Sequence, residues 1–256
     1  MQLQEFDNRC IEILNAISKK RSKYCFRSAI NHLERAEILF PIDITMAVFR
    51  CYTAEEEAAT GLMQCLKDKG YQNSDKLLLT NHQHKNAVIQ FFSILSQFIE
   101  DHFREFGIDL FLAIVENNNY KSLIFEVNID LGNGLETFRP IPPFNFALQY
   151  ETKRFSYKKQ IAKLMASRQV TDISKYIKTL ANQRNLLLYA NEKGFPSEVT
   201  IEDKFFPAMQ RRVFALLCAY LMIEPYKEKQ PFVQDILDAF LLMLEKQDFD
   251  DMHDNL

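Results

Sequence analysis

The chain has 256 residues, with 31 Lys and Arg against 34 Asp and Glu, and only 6 Gly and 8 Pro. That length can bury a sizeable core as one domain carrying an insertion, and few helix breakers beside long apolar-periodic runs set the expectation of a mainly helical protein. A net charge of −3 excludes a global basic field for nucleic acid, so any RNA contact must be local.

The cysteines at 10, 25, 51, 65 and 218 are scattered and odd in number, which fits a reducing compartment better than a disulfide framework. The N-terminus, MQLQEFDNRC, carries acids and no apolar core, unlike a secretory leader. The most apolar run, 213–223, is short of the roughly 20 residues a membrane span needs. The expectation is a soluble, cytoplasmic protein with no membrane role.

In chain order, Phe6, Cys10, Ile13, Leu14 and Ile17 space a first helix over 3–18, and a basic run, Lys19-Lys20-Arg21-Ser22-Lys23, follows. Phe26, Ile30, Leu33 and Ile38 predict a second helix over 23–39. Pro41 is expected to open a long third helix to Lys69, with Glu55 at the centre of its apolar stripe and Glu56 and Glu57 pointing elsewhere. Thr80 or Asn81 caps a fourth helix to Phe106, where His84 and His102 share the face of Phe91, Leu95 and Ile99. Runs at 110–115 and 123–129 read as two strands, and 107–152 as a small β-rich insertion packed on the helices. Helices resume at 157–168 and 170–194, then at 201–223 and 231–246, before an acidic tail, DFDDMHDNL, expected to fray.

Three apolar stripes each hold one polar intruder: Glu55, His84 and Arg184. In the helix over 170–194, Arg184 interrupts the stripe of Ile173, Ile177, Leu180 and Leu187. A guanidinium keeps its charge, so it enters such a face only with a partner or beside a water-filled cleft. Packing the helices together would bring Glu55 to Arg184 near His84. Two readings stand side by side: a structural ion pair with a satisfied histidine, or a cleft where Arg184 neutralises a phosphate and a His or Tyr moves a proton. His82 and His84, at i and i+2, cannot chelate a metal together on a helix, and no motif for a metal, nucleotide or nucleophilic serine is present. No cofactor is expected.

At Arg184-Asn185-Leu186-Leu187-Leu188-Tyr189 the chain resembles the HEPN superfamily, whose signature is an Arg, often a polar neighbour, and a His after four to six residues. The likeness is closest to its AbiV-like abortive-infection branch. Ala54-Glu55-Glu56-Glu57-Ala58-Ala59 resembles that branch's Ala-x-Glu-Glu helix, Asn81-His82-Gln83-His84-Lys85 its His–Lys helix start, and Leu188-Tyr189-Ala190-Asn191 its Leu-Tyr-Val-Asp step. The resemblance spans about 25–105 and 157–194. It leaves out the insertion, and Tyr189 stands where the family has its histidine.

The resemblance implies an antiparallel helical bundle, here with a β-rich insertion and extra C-terminal helices, that dimerises and often acts as a metal-independent ribonuclease or toxin in phage defence. Arg184 corresponds to the catalytic arginine, Asn185 to its polar neighbour, and Tyr189 or His84 to the proton-transfer group, with Glu55 as a supporting ion-pair partner. Positions i and i+5 lie about 140° apart on a helix, so Arg184 and Tyr189 converge more readily across a two-fold axis than within one helix. The implied partners are a second copy, an RNA substrate, and an antitoxin or phage trigger protein. The alternative is a non-catalytic HEPN-like module that binds a protein partner or nucleic acid, which the tyrosine favours.

Overall fold

The computed structural model describes residues 3–105, 107–117, 120–130, 132, 134–145, 149–150, 153–154, 157, 187, 189 and 201–253. These hold helices α1 (Glu5–Ala16), α2 (Arg21–Leu39), α3 (Ile44–Asp68), α4 (His82–Glu105), α5 (Phe205–Ile223) and α6 (Pro231–His253). Strands β1 (Ile108–Asn117), β2 (Tyr120–Asp130) and β3 (Leu135–Phe138) form an antiparallel sheet in the order β1-β2-β3. A short hairpin pairs β4 (Gln149–Tyr150) with β5 (Lys153–Arg154). The protein is mostly helical with a small sheet, as its composition implies. The helices expected at 157–168 and 170–194 lie outside the described residues, save for Tyr157, Leu187 and Tyr189.

Local chemistry sets the helix boundaries. Pro41 does not open α3; it lies in the preceding turn, and Asp43 is the cap, its carboxylate accepting from the Met46 amide at 2.9 Å. A short acceptor at that position satisfies an amide that has no partner within the helix. Asn81 caps α4 in the same way, its side-chain oxygen accepting from Gln83 and His84 amides at 2.8 and 3.3 Å. Helix α6 continues past the start of the acidic tail to His253, with no Gly or Pro to stop it.

The basic run at the start of α2 is divided: Lys19 and Arg21 face solvent, while Lys20 and Lys23 turn inward. Lys23 is buried and donates to the carbonyls of Asn15 at 2.7 Å and Ile17 at 2.6 Å, so its charge closes the C-terminal end of α1. Lys20 pairs with the buried carboxylate of Glu224, which also accepts from Cys65 at 3.4 Å. Glu224 sits at the C-terminal end of α5, where a negative charge is unfavourable. Lys20 offsets that charge, while Lys69 donates to the carbonyls of Glu224 and Tyr226.

The three-stranded sheet has one strand more than the sequence pattern shows, and the short β4–β5 hairpin lies outside that pattern too. After Asp130, Gly132 (φ 80°) and Gly134 (φ 129°) take the left-handed backbone that a tight reversal needs, and Leu135 returns to pair with Asp130. Leu112 opposes Phe125 and Ile114 opposes Leu123 on the face turned to the helices, where Leu123 is fully buried. Phe144, beyond the sheet, stacks on Phe232 of α6 and meets Phe125 edge-on.

Helix α5 passes the length and composition test for a membrane-crossing helix. It nevertheless behaves as a core helix, with Val213, Leu217, Tyr220 and Leu221 wholly enclosed by the fold. α3 packs against α2, α4 and α5. The α2–α3 approach is set by Gly61, where an added Cβ would lie 2.8 Å from the Phe26 ring and 3.1 Å from the Ser22 carbonyl. Phe26 is fully buried against Tyr220, ring centroids 4.7 Å apart, and has nowhere to go. Replacing Gly by Ala gains roughly 1 kcal/mol in a helix interior, but overpacking a tight core costs about 1–3 kcal/mol. Gly61→Ala is therefore expected to destabilise by about 1 kcal/mol net and to lower the Tm by about 2–4 °C in a calorimetric scan; a rise in Tm would show that the two helices can part without cost.

Candidate functional site

The polar centre of the fold grows from two adjacent residues of α3. Glu55 and Glu56 are both buried, whereas the sequence stripe accounts for Glu55 alone. The reason is that α3 is covered by three helices, so positions about 100° apart on its surface are both taken out of water. Each carboxylate then reaches a different element. Glu55 Oε1 accepts from Arg212 of α5 at 3.1 Å, and Glu56 Oε1 lies 2.9 Å from His82 Nδ1 at the start of α4.

The exposures of the partners are opposite. Glu55 and Glu56 side chains are 7% and 8% accessible, Arg212 and His82 42% and 48%. Two buried carboxylates thus hold a guanidinium and an imidazole by their inner ends while the outer ends meet solvent. Burial pushes the Glu55 carboxyl above the usual glutamate range; Arg212 opposes that rise, by charge and by hydrogen bond, and the neighbouring Glu56 adds to it. An arrangement of this kind can present a fixed positive charge to an anion and a positioned imidazole to a proton.

His84 has a different place. It is buried, and its Nδ1 accepts from the Leu78 amide at 3.2 Å, so a neutral His84 carries its proton on Nε2. That contact ties down the loop before α4. Of the two histidines, His82 is the one whose ring is half in water.

Arg212 also lines a cleft of about 390 Å³ between α4 and α5, with Arg211, Gln90, Ser93 and Ser96. All five cysteines are buried and free. Burial, and then the nearby charge of Glu55, pushes the Cys51 thiol up to about 12; burial likewise raises Cys65 well above the ordinary thiol value. Neither is a thiolate at neutral pH, which removes them as nucleophiles. Among the described residues, no group of three His, Cys, Asp or Glu side chains is gathered as a metal-ligand set.

Of the residues singled out in the sequence, Arg184 and Asn185 lie outside the described residues, and with them the expected Glu55–Arg184 pair. Tyr189 is 64% exposed and Leu187, in helical conformation, is half-buried. The arginine that Glu55 does meet among the described residues is one the sequence reading passed over. Its signal was available: Arg211-Arg212 interrupts the otherwise apolar run of α5. No family model, curated protein or solved structure matches the chain. What fold and site define together is a mostly helical protein whose central helix carries two buried acids that hold an arginine and a histidine of the neighbouring helices.

The raised folded-state pKa of Glu55 has a sign. The folded protein holds that proton more tightly than the unfolded chain, so raising the pH from about 4.5, the ordinary glutamate value, through the higher folded value costs stability. Glu55→Gln removes this dependence. In urea unfolding from pH 4 to 8, the wild type is expected to lose stability relative to Glu55→Gln as pH rises, with the difference level once the folded pKa is passed. A wild type that gains on the variant with rising pH would mean that Arg212 outweighs burial.

Proposed function

We propose that the protein is a HEPN-like, metal-independent ribonuclease that acts as a cytoplasmic homodimer in phage defence. The observation that carries the reading is the buried acidic pair Glu55–Glu56, each carboxylate holding a half-exposed Arg or His, on the helix whose Ala-Glu-Glu-Glu-Ala-Ala run resembles the acidic helix of the AbiV-like branch. The order of that helix, the His–Lys start of α4 and the Arg184-Asn185 segment along the chain supports it further.

In this reading the RNA 2′-hydroxyl attacks the adjacent phosphorus as a base takes its proton. The 5′-oxygen leaves with a proton from an acid, giving a 2′,3′-cyclic phosphate and a 5′-hydroxyl. Arg184 stabilises the charge that builds on the phosphorane, and Asn185 positions the phosphate. Tyr189 or His84 transfers protons, and the geometry adds His82 to these candidates. An unperturbed tyrosine titrates near pH 10, which suits the acid role better than the base.

A second reading, a non-catalytic HEPN-like module that binds an antitoxin, a phage trigger protein or nucleic acid, is favoured by Tyr189, which replaces the family histidine and stands exposed. The two separate in an RNA-cleavage assay in EDTA, with folding checked by circular dichroism. The first reading expects cleavage by the wild type, with cyclic-phosphate ends, and a loss of about 100-fold or more in a folded Arg184→Ala variant. A folded Arg184→Ala that cleaves like wild type overturns it, and no cleavage by either moves the weight to the binding module. Growth arrest on strong expression, relieved by Tyr189→Phe, would point to the enzyme as well.

A further inference from the structure

The apolar core is not completely filled. A cavity of about 310 Å³ lies among α3, α4, β1, β2, α5 and α6, walled by side chains such as Leu66, Phe91, Leu95, Met222, Ile223 and Phe240. None of the described residues lining it is charged. Native cores hold few voids larger than a water molecule, and hydrocarbon walls around an empty space lose their dispersion partners. An apolar cavity of about 150 Å³ takes up benzene; on that scale 310 Å³ holds a chain of roughly twelve carbons.

A polar cleft adjoins the cavity. Phe92, Ser96 and Ala215 belong to its wall and equally to the wall of the arginine cleft between α4 and α5. The cleft presents Arg212, held from behind by Glu55, and Arg211. Arg211 is exposed and has no ion-pair partner among the described residues. Apolar depth joined to a two-arginine rim matches an amphiphile with one negative end. An uncharged lipid would leave the rim unused, and a nucleic acid or free phosphate would leave the cavity unused.

We propose that cavity and cleft form one binding site for a long-chain carboxylate, its hydrocarbon tail among Leu66, Phe91 and Phe240 and its head group at Arg211 and Arg212. The proposal does not depend on the ribonuclease reading.

The test is titration calorimetry of the full chain with sodium dodecanoate below its micelle concentration, against sodium hexanoate and dodecyltrimethylammonium. One dodecanoate per chain is expected, with hexanoate about a hundredfold weaker or more for its shorter tail. Arg211→Glu should weaken dodecanoate about tenfold or more through charge reversal. Ala219→Phe, which fills the cavity, should abolish binding; Ala215→Leu, at the exposed neck, serves if the first variant does not fold. The proposal is overturned by no saturable binding to the folded protein, by equal affinity for dodecyltrimethylammonium, by an Arg211→Glu variant that binds like wild type, or by uptake of many molecules per chain without saturation.

Discussion

A carboxylate taken out of water must find a counter-charge or keep its proton, and α3 takes two out of water side by side. That constraint organises the middle of the molecule. Glu55 requires α5 to present Arg212 at one height, and Glu56 requires the start of α4 to present His82 at another. A shift of either helix by one turn would leave a buried acid without its partner, at a cost of several kcal/mol for an uncompensated charge. The ion pairs that tie the sheet to α1, Arg9–Glu116 and Lys121–Glu12, lie at the surface, where such pairs contribute little. The organising charges are the buried ones.

Around this centre the apolar packing does the larger share of the stabilising. Gly61 lets α2 close on α3 until Phe26 meets Tyr220 of α5, so one missing side chain brings three helices into register. Gln230 makes an equivalent polar joint at the other end. Its side chain donates to the Met222 carbonyl and accepts from the Phe144 amide, and its backbone amide donates to the Tyr71 hydroxyl. These contacts fix α5, α6, the insertion's exit and the loop after α3 at one buried point.

The sequence made some of this legible and hid the rest for identifiable reasons. The 3.6-residue spacing of Ile13, Phe26, Val48 and Phe91 marked the first four helices, and the continuous apolar runs at 110–115 and 123–129 marked β1 and β2. β3 was hidden because Leu135-Glu136-Thr137-Phe138 is too short to show a pattern and is wholly exposed; only the turn at Gly132 and Gly134 returns it to β2. Glu56 looked exterior because a single stripe assumes one covered face, and α3 has three helices around it. His84 and His82 are two residues apart, and nothing in the spacing says which ring enters the loop and which meets solvent.

By itself the sequence determined the mainly helical class, the place of the β-rich insertion and the presence of polar residues on apolar faces, because periodicity and turn chemistry are local properties of the chain. Which charges pair was decided only by tertiary structure. Glu55 and Arg212 stand 157 positions apart, and no local rule carries information over that distance. The cavity and its arginine rim are likewise products of packing, since α3, α4, α5, α6 and the sheet each contribute part of one wall. A pattern along one segment specifies which side chains must leave water; only the packed fold specifies what they meet when they do.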